Sequence, residues 1–421
     1  MAEVSGPLRV TFAVHVFPAT SQTFIVRQIT ALLDLGHDVR ILAERRPRQA
    51  QVVHPAVREY GLEQRITYVH EVGVGPADVA RLLGLLGSGR RRALGLLRHD
   101  RAAPHGGRRY VWDRLRALVG ASPTDVLHCH FGDLGLMYAE PASLLGIPQV
   151  VTFHGHDWSR VPLERGKDVY RPLFERVGRV TVLGDYMRDR LRELGCPDSI
   201  MRRLRLGVDV SEFDYRERTL PPSGEPIRLL TVARFTEKKG LEYGLDALAR
   251  VLASRRGGNG REIRYDIIGD GPLRPELEDR VASLGVGDCV SFLGTRDQAA
   301  VRRAMMEAHV FLLPSVTAAD GDQEGIPTVL LEASSTGLPA ISTWHSGVPD
   351  AVIDGETGFL VPERDVEALA DRLGRMLDDP GLWRTLGSNG RRYIEDSYNV
   401  RTLTLELVQH YRDVMERPDP A

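Results

Sequence analysis

A chain of 421 residues is too long for one ordinary hydrophobic core, and at roughly 100–200 residues per domain it predicts two or three, expected here as two similar halves. Apolar content of 42%, charged content of 27% and a formal net charge of −2 describe a folded soluble chain and exclude a global electrostatic pull toward nucleic acid. Cys129, Cys196 and Cys289 lack CxxC spacing, which argues against a disulfide framework or zinc site, and with neither a leader-like start nor an apolar run of about 18 residues the expected compartment is the cytoplasm.

In chain order, the first half alternates β-rich runs with amphipathic stretches: LRVTFAVHV, TFIVRQITALLDLG, DVRILA, and later DVLHCHF, PQVVTFH and GRVTVLG. Continuous Val/Ile/Leu runs between helical patterns mark strands buried on both faces, hence a parallel sheet with crossover helices. Residues 81–116 interleave ten arginines with leucines. One reading is an interfacial helix seeking anionic lipid, which would give peripheral membrane contact; the other is a solvated helix face. His128 and His130 in LHCHF are read as facing opposite sides of a strand, so that at least one belongs to the core. VTFHGHDWS places His154, His156 and Asp157 after a strand, where polar contacts to a substrate are preferred over a metal pair because no further ligands stand at recognisable spacing.

Residues 1–208 are thus assigned to an N-terminal Rossmann-like domain. The polar stretch 209–226, with its Pro-Pro and Pro-Ser-Gly clusters, is expected as a linker, and 227–396 as a second Rossmann-like domain. Residues 397–421 hold an amphipathic helix expected to pack on either domain, with a return to the N-terminal one as the stated option. The second half runs IRLLTVARF, IRYDIIGDG, CVSFLG, HVFLLPS, LPAISTW and GFLVP, with helical patterns between. The expected fold class is α/β, with two parallel-sheet domains facing across a cleft. Ligands of such sheets bind at the carboxyl ends of the strands, so the loops there carry the chemistry.

Lysine is rare: Lys167, Lys238 and Lys239 stand against 52 arginines. Arg234 and Lys239 flank the loop ARFTEKKG between a strand and a helix, a place where two cations and a helix N-terminus suit a diphosphate. IIGDGPLRPEL has Gly269 and Gly271 in GxG spacing, but Arg274 stands at the third glycine position, so it reads as a turn lining a nucleotide-sized cleft. DGDQEG fails as a calcium loop because Leu331 occupies the twelfth position, and no metal or cofactor is expected. Glu324 sits in the glycine-containing loop, Gly325 permits close approach, and Pro327 suits the first helical turn. Glu332 falls among apolar residues of TVLLEASS, where an idle carboxylate is too costly, so a hydroxyl or a cation should meet it.

Together ARFTEKKG, IIGDGPLRPELE, VSFLGT, EGIPTVLLEASSTGLPAIST and DGETGFLVPERD resemble the retaining nucleotide-sugar glycosyltransferases of family 4, which have the GT-B fold. FPATSQTFIVRQI, VTFHGHD and SVTAADGDQEGIP are similar to the subgroup of colanic-acid and other exopolysaccharide glycosyltransferases. The resemblance implies that Arg234 and Lys239 neutralise the departing donor diphosphate, that Glu324 contacts the donor sugar, and that Glu332 holds the ribose. It places backbone of Gly325, Ile326, Pro327 and Thr328 near sugar and phosphate, and Leu293 and Gly294 at the border of the base, with the Gly269 turn read above as the donor-binding turn beside them. It also sets His154 beside the donor sugar, with Ser21, Thr23, His156 and Asp157 on the acceptor side. The implied partners are a nucleoside-diphosphate sugar and a saccharide, lipid-linked or small-molecule acceptor such as an antibiotic precursor. Rival activities on the same architecture are a nucleotide-sugar 2-epimerase, a sugar phosphorylase and a non-catalytic nucleotide-sugar binder. Two departures stand out: FPATSQTF replaces a Gly-Gly-rich first loop, and His345-Ser346-Gly347 replaces a glycine pair.

Overall fold

Branched apolar runs become parallel strands because each is covered on both faces by the crossover helices that connect them. The computed structural model describes residues 6–19, 22–47, 54–71, 107–121, 123–255 and 261–416. Ser21 and residues 81–106 of the Arg/Leu stretch lie outside these. The chain divides into two units, residues 1–205 with 401–421, and residues 206–400.

Unit 1 holds seven parallel strands: β1 (Arg9–Val16), β2 (Asp38–Arg45), β3 (Ile66–Tyr68), β4 (Val126–His130), β5 (Gln149–Thr152), β6 (Arg179–Val182) and β7 (Met201–Arg203). Their order is β3-β2-β1-β4-β5-β6-β7. Unit 2 holds six: β8 (Ile227–Val232), β9 (Ile263–Ile268), β10 (Val290–Gly294), β11 (Val310–Leu312), β12 (Ala340–Thr343) and β13 (Gly358–Val361), ordered β10-β9-β8-β11-β12-β13. Strand order reverses once in each sheet, between β1 and β4 and between β8 and β11. At such a reversal the two following loops diverge to opposite faces and leave a crevice at the carboxyl ends. The switch-point loops therefore begin at 17 and 131 in unit 1, and are 233–240 and 313–327 in unit 2.

The last helix, Val400–Met415, belongs with unit 1. Leu407, Val408, Tyr411 and Val414 join Val10, Phe12, Val126 and Val150 in one apolar cluster. The Tyr411 hydroxyl lies 2.6 Å from His128 Nδ1, His128 Nε2 lies 2.7 Å from Thr152 Oγ1, and that hydroxyl meets Thr181 Oγ1 at 2.5 Å. Burial drives the His128 pKa down to about 3, so the ring is neutral and bridges helix and sheet with one donated and one accepted bond. Replacing Tyr411 by Phe strands a buried ring nitrogen and should destabilise unit 1 by about 1–3 kcal/mol, read from the urea midpoint of its unfolding.

The segment 209–226, expected as a linker, is fastened to unit 2. Arg218 is buried and donates to the Met305 carbonyl and to Thr336 Oγ1. Arg216 donates to the Met306 carbonyl, and Phe213 is buried. Linker composition, with its Pro-Pro and Pro-Ser-Gly clusters, is compatible with such fastening because Arg216 and Arg218 donate to main-chain carbonyl groups at 305 and 306.

Candidate active site

In unit 2 the two switch-point loops are stitched to one another. Val316 N–H donates to the Lys238 carbonyl at 2.9 Å, and Ala319 N–H to Glu237 Oε1 at 2.9 Å. Lys238 Nζ reaches Asp322 at 3.0 Å, and Lys239 Nζ meets Glu324 Oε1 at 2.5 Å, with both side chains of the latter pair largely buried. The adjacent lysines are thus explained by geometry: one ties down the acidic turn, the other faces the loop glutamate. Burial pushes the Glu324 carboxyl up, but the Lys239 and Lys238 charges outweigh it and hold the group below the usual glutamate range. Arg234 follows β8, is exposed, and makes no ion pair among the described residues.

The neighbouring turns close around the same strand ends. Phe235 N–H donates to the Asp270 carbonyl, and Gly269 N–H to the Gly294 carbonyl, each at 3.0 Å. Gly269 has φ 138°, and a methyl there would collide with the Ala233 carbonyl, so only glycine lets this turn lie against the loop after β8. Leu293 interrupts the β9–β10 register just before Gly294. It lines a cavity of about 190 Å³ beneath the helix Gln298–Glu307, with Arg228, Asp266, Arg303 and Glu307 also on its walls. Neither Lys239 nor Glu324 borders that cavity, so it is separate from the ion-paired loops.

After Glu324 and Gly325 the chain enters the helix Thr328–Ser335 with Pro327 as N-cap, one position earlier than the first helical turn, and no side chain caps its free N–H groups. Ile326 and Pro327 are buried, Gly325 and Thr328 partly so. Glu332 is buried in the second turn of that helix.

Three residues that sequence reading did not assign hold Glu324 from behind. Its N–H donates to His345 Nε2 at 3.1 Å, and its carbonyl accepts from Ser346 Oγ at 2.6 Å. His345 is fully buried, and its Nδ1 lies 2.6 Å from Glu363 Oε1. Glu363 Oε2 also accepts from Thr317 N–H at 2.8 Å. Gly347 faces the Gly325 carbonyl so closely that any side chain would collide with it. The signal in the sequence was the departure at 345–347 itself.

In unit 1 the switch point gathers aromatic and imidazole rings. His128 and His130 share one face of β4 rather than opposite faces, because residues two apart in a strand point the same way, and their rings stack 4.5 Å apart. His130 Nδ1 lies 3.0 Å from His154 Nε2. Burial holds His130 well below the ordinary histidine value and His154 at about 3, so both are neutral. His154 Nδ1 has no hydrogen-bond partner among the described residues. Phe131 has φ 82° and packs its ring against His15, His154 and His156, a strained conformation for a bulky residue of the kind that clusters at working sites. His156 and Thr23 each begin a helix and are partly buried, and His15 lies 3.1 Å from Asp133.

Asp157 was expected on the acceptor side. It is fully buried and accepts from the N–H groups of Gly132, His154 and Gly155 at 2.8–3.0 Å. Both oxygens accept from backbone N–H groups, so Asp157 fixes the loops after β4 and β5 to one another. Among the described residues no three His, Cys, Asp or Glu converge as a metal-binding group.

Comparison with known proteins matches residues 21–212 to Glycosyltransferase Family 4 and residues 213–393 to Glycosyl transferases group 1. The putative colanic acid biosynthesis glycosyltransferase WcaL of Salmonella typhimurium is 32% identical, over 95% of this chain and 98% of the relative. The amylovoran biosynthesis glycosyltransferase AmsK of Erwinia amylovora is 34% identical, over 88% and 90% respectively. Among solved structures, sucrose-phosphate synthase from Thermosynechococcus elongatus superimposes with a TM-score of 0.72 at 21% identity, covering 97% of this chain and 99% of that one.

Proposed function

This chain belongs to glycosyltransferase family 4, an enzyme moving sugar from a nucleoside-diphosphate sugar to a hydroxyl, and from that premise we propose a retaining transfer onto the saccharide of a growing exopolysaccharide unit. The observation that carries the site assignment is the buried Lys239–Glu324 pair at the unit 2 switch point, with unpaired Arg234 on the loop after β8.

An ammonium has three donors, so Lys239 keeps one on Glu324 and offers the others to the donor diphosphate, which Arg234 grips as a fork. As the bond to the anomeric carbon lengthens, negative charge grows on the diphosphate, and cations already in place stabilise it without reorganising. Glu324, ionised, accepts from a donor-sugar hydroxyl. The open N–H groups at the start of Thr328–Ser335 suit the phosphates, and Glu332 on the same helix suits the ribose diol. The acceptor hydroxyl enters on the face the diphosphate leaves and passes its proton to the leaving phosphate, which gives retention. His154, neutral and with Nδ1 still to be satisfied, serves a sugar hydroxyl, and His156 and Thr23 serve the acceptor. The acceptor class rests on the names of the WcaL and AmsK relatives.

No helix among the described residues is long and apolar enough to cross a membrane. The Arg114 end of the basic stretch is occupied in an internal ion pair, so peripheral contact is tested at Arg90, Arg91 and Arg92 by sedimentation with anionic vesicles.

The deciding experiment is a thermal-shift panel of nucleoside diphosphates and nucleotide sugars. One nucleoside class should raise the midpoint without added magnesium, and Arg234→Ala should abolish that rise. An equal response to every base, or a strict magnesium requirement, would refute the assignment.

A further inference from the structure

We propose that His345, oriented by Glu363, and Ser346 form a clamp that sets the position of the Glu324 carboxylate, which makes all three positioning residues for sugar transfer. The proposal rests on Glu324 being the group that contacts the donor sugar.

The loop between β11 and the helix Thr328–Ser335 has no regular structure and must nonetheless place one carboxylate accurately. Its own backbone cannot do so, because both polar backbone groups of Glu324 are satisfied by side chains of a single dipeptide, His345-Ser346. The direction of each bond is determined. A backbone N–H can only donate, so His345 Nε2 accepts, and a neutral ring then carries its proton on Nδ1. That proton points at Glu363 Oε1, 2.6 Å away. Burial pushes the Glu363 carboxyl up, but the Thr317 N–H and the His345 bond outweigh it and leave it below the usual glutamate range, so it is the acceptor this tautomer needs.

Glu363 thereby fixes both ends of the loop. One oxygen takes Thr317 N–H near the start, and the other holds the imidazole that takes Glu324 N–H near the end. Ser346 adopts φ 47°, a region that favours glycine, and it is there that its Oγ reaches the Glu324 carbonyl. A residue kept in an unfavourable conformation next to a working carboxylate is what a positioning role looks like, since strain persists where the surroundings over-determine it. Gly347 completes the seat by letting the Gly325 carbonyl approach.

Two isosteres separate the clamp from simple core filling. In His345→Asn the amide sits near the Nδ1 position, toward Glu363, and nothing accepts from Glu324 N–H. In His345→Gln the terminal oxygen sits near the Nε2 position and can accept. The expected result is that His345→Asn lowers kcat by about 30-fold or more, with the nucleoside-diphosphate thermal shift retained, while His345→Gln recovers to within a few-fold of wild type. Hydrogen exchange of the peptide spanning 317–327 should accelerate in the Asn variant and not in the Gln variant. Wild-type turnover in His345→Asn, or equal loss in both variants together with loss of nucleotide binding, would overturn the clamp. Should His345→Asn fail to fold, Ser346→Gly serves: it relieves the positive φ while removing the Oγ donor, so it should be slower without being less stable, and an unchanged rate would refute the proposal. Glu324→Gln is the control. If that variant turns over normally, the reading of Glu324 fails, whereas the exchange data still judge the clamp itself.

Discussion

Replacing Lys239 by Met lowers kcat at least about a hundredfold and moves the acid limb of the pH–rate profile upward. Two losses combine. The departing diphosphate loses a preorganised cation, and removing one such stabilising donor from an active site typically costs on the order of 100- to 1000-fold. Glu324 loses the counter-charge 2.5 Å from its Oε1, leaving a buried carboxylate that burial alone pushes upward. The sign follows from the direction of the shift. In the wild type the folded-state value is depressed, so the ionised group and the stability it contributes are present above the unfolded value and are lost only as pH falls through the lower folded one. In the Met variant the folded value rises, and the ionised fraction declines at a higher pH than before. Measuring kcat against pH for both proteins decides it: an unmoved acid limb would mean that Lys239 does not set the ionisation of Glu324.

The second large effect is on stability. Arg114, on the helix Gly107–Gly120, is buried and ion-paired with Glu44 of β2, and the Tyr138 hydroxyl donates to the same carboxylate at 3.1 Å. Changing Arg114 to Leu should destabilise unit 1 by about 3–5 kcal/mol, because it abandons an unpaired charge in the interior. Adding Glu44→Gln removes that charge and keeps an acceptor for Tyr138, so the double variant should be more stable than the single one. Urea unfolding of the three proteins tests this. A single variant as stable as wild type would show that water reaches Glu44.

The same arginine shows where sequence reading met its limit. In the run of arginines and leucines from 81 to 116, Arg114 looks like its neighbours, and only the strand opposite reveals that it is an interior cation. The strands, by contrast, were legible, since continuous apolar runs bounded by turn residues have few other uses, and the family-4 resemblance carried by ARFTEKKG and EGIPTVLLEASST was confirmed by the matches across the chain. The backbone contacts of Asp157 were not legible, because a polar residue after a strand reads the same whether its oxygens meet a ligand or three backbone N–H groups. His128 and His130 were misjudged on a rule that the sequence does contain, since strand side chains repeat every second residue.

Chain order alone therefore determined the α/β class, the two parallel sheets, the family and the loops in which chemistry should be sought, because periodicity and local motifs are properties of neighbours along the backbone. Pairings between distant segments were decided only by the folded molecule: Lys238 with Asp322, Lys239 with Glu324, His345 between Glu363 and the Glu324 amide, and Tyr411 with His128. A hydrogen bond or ion pair depends on a few tenths of an ångström between atoms, and such distances are settled by how strands are ordered and loops packed, which residue spacing along the chain does not encode.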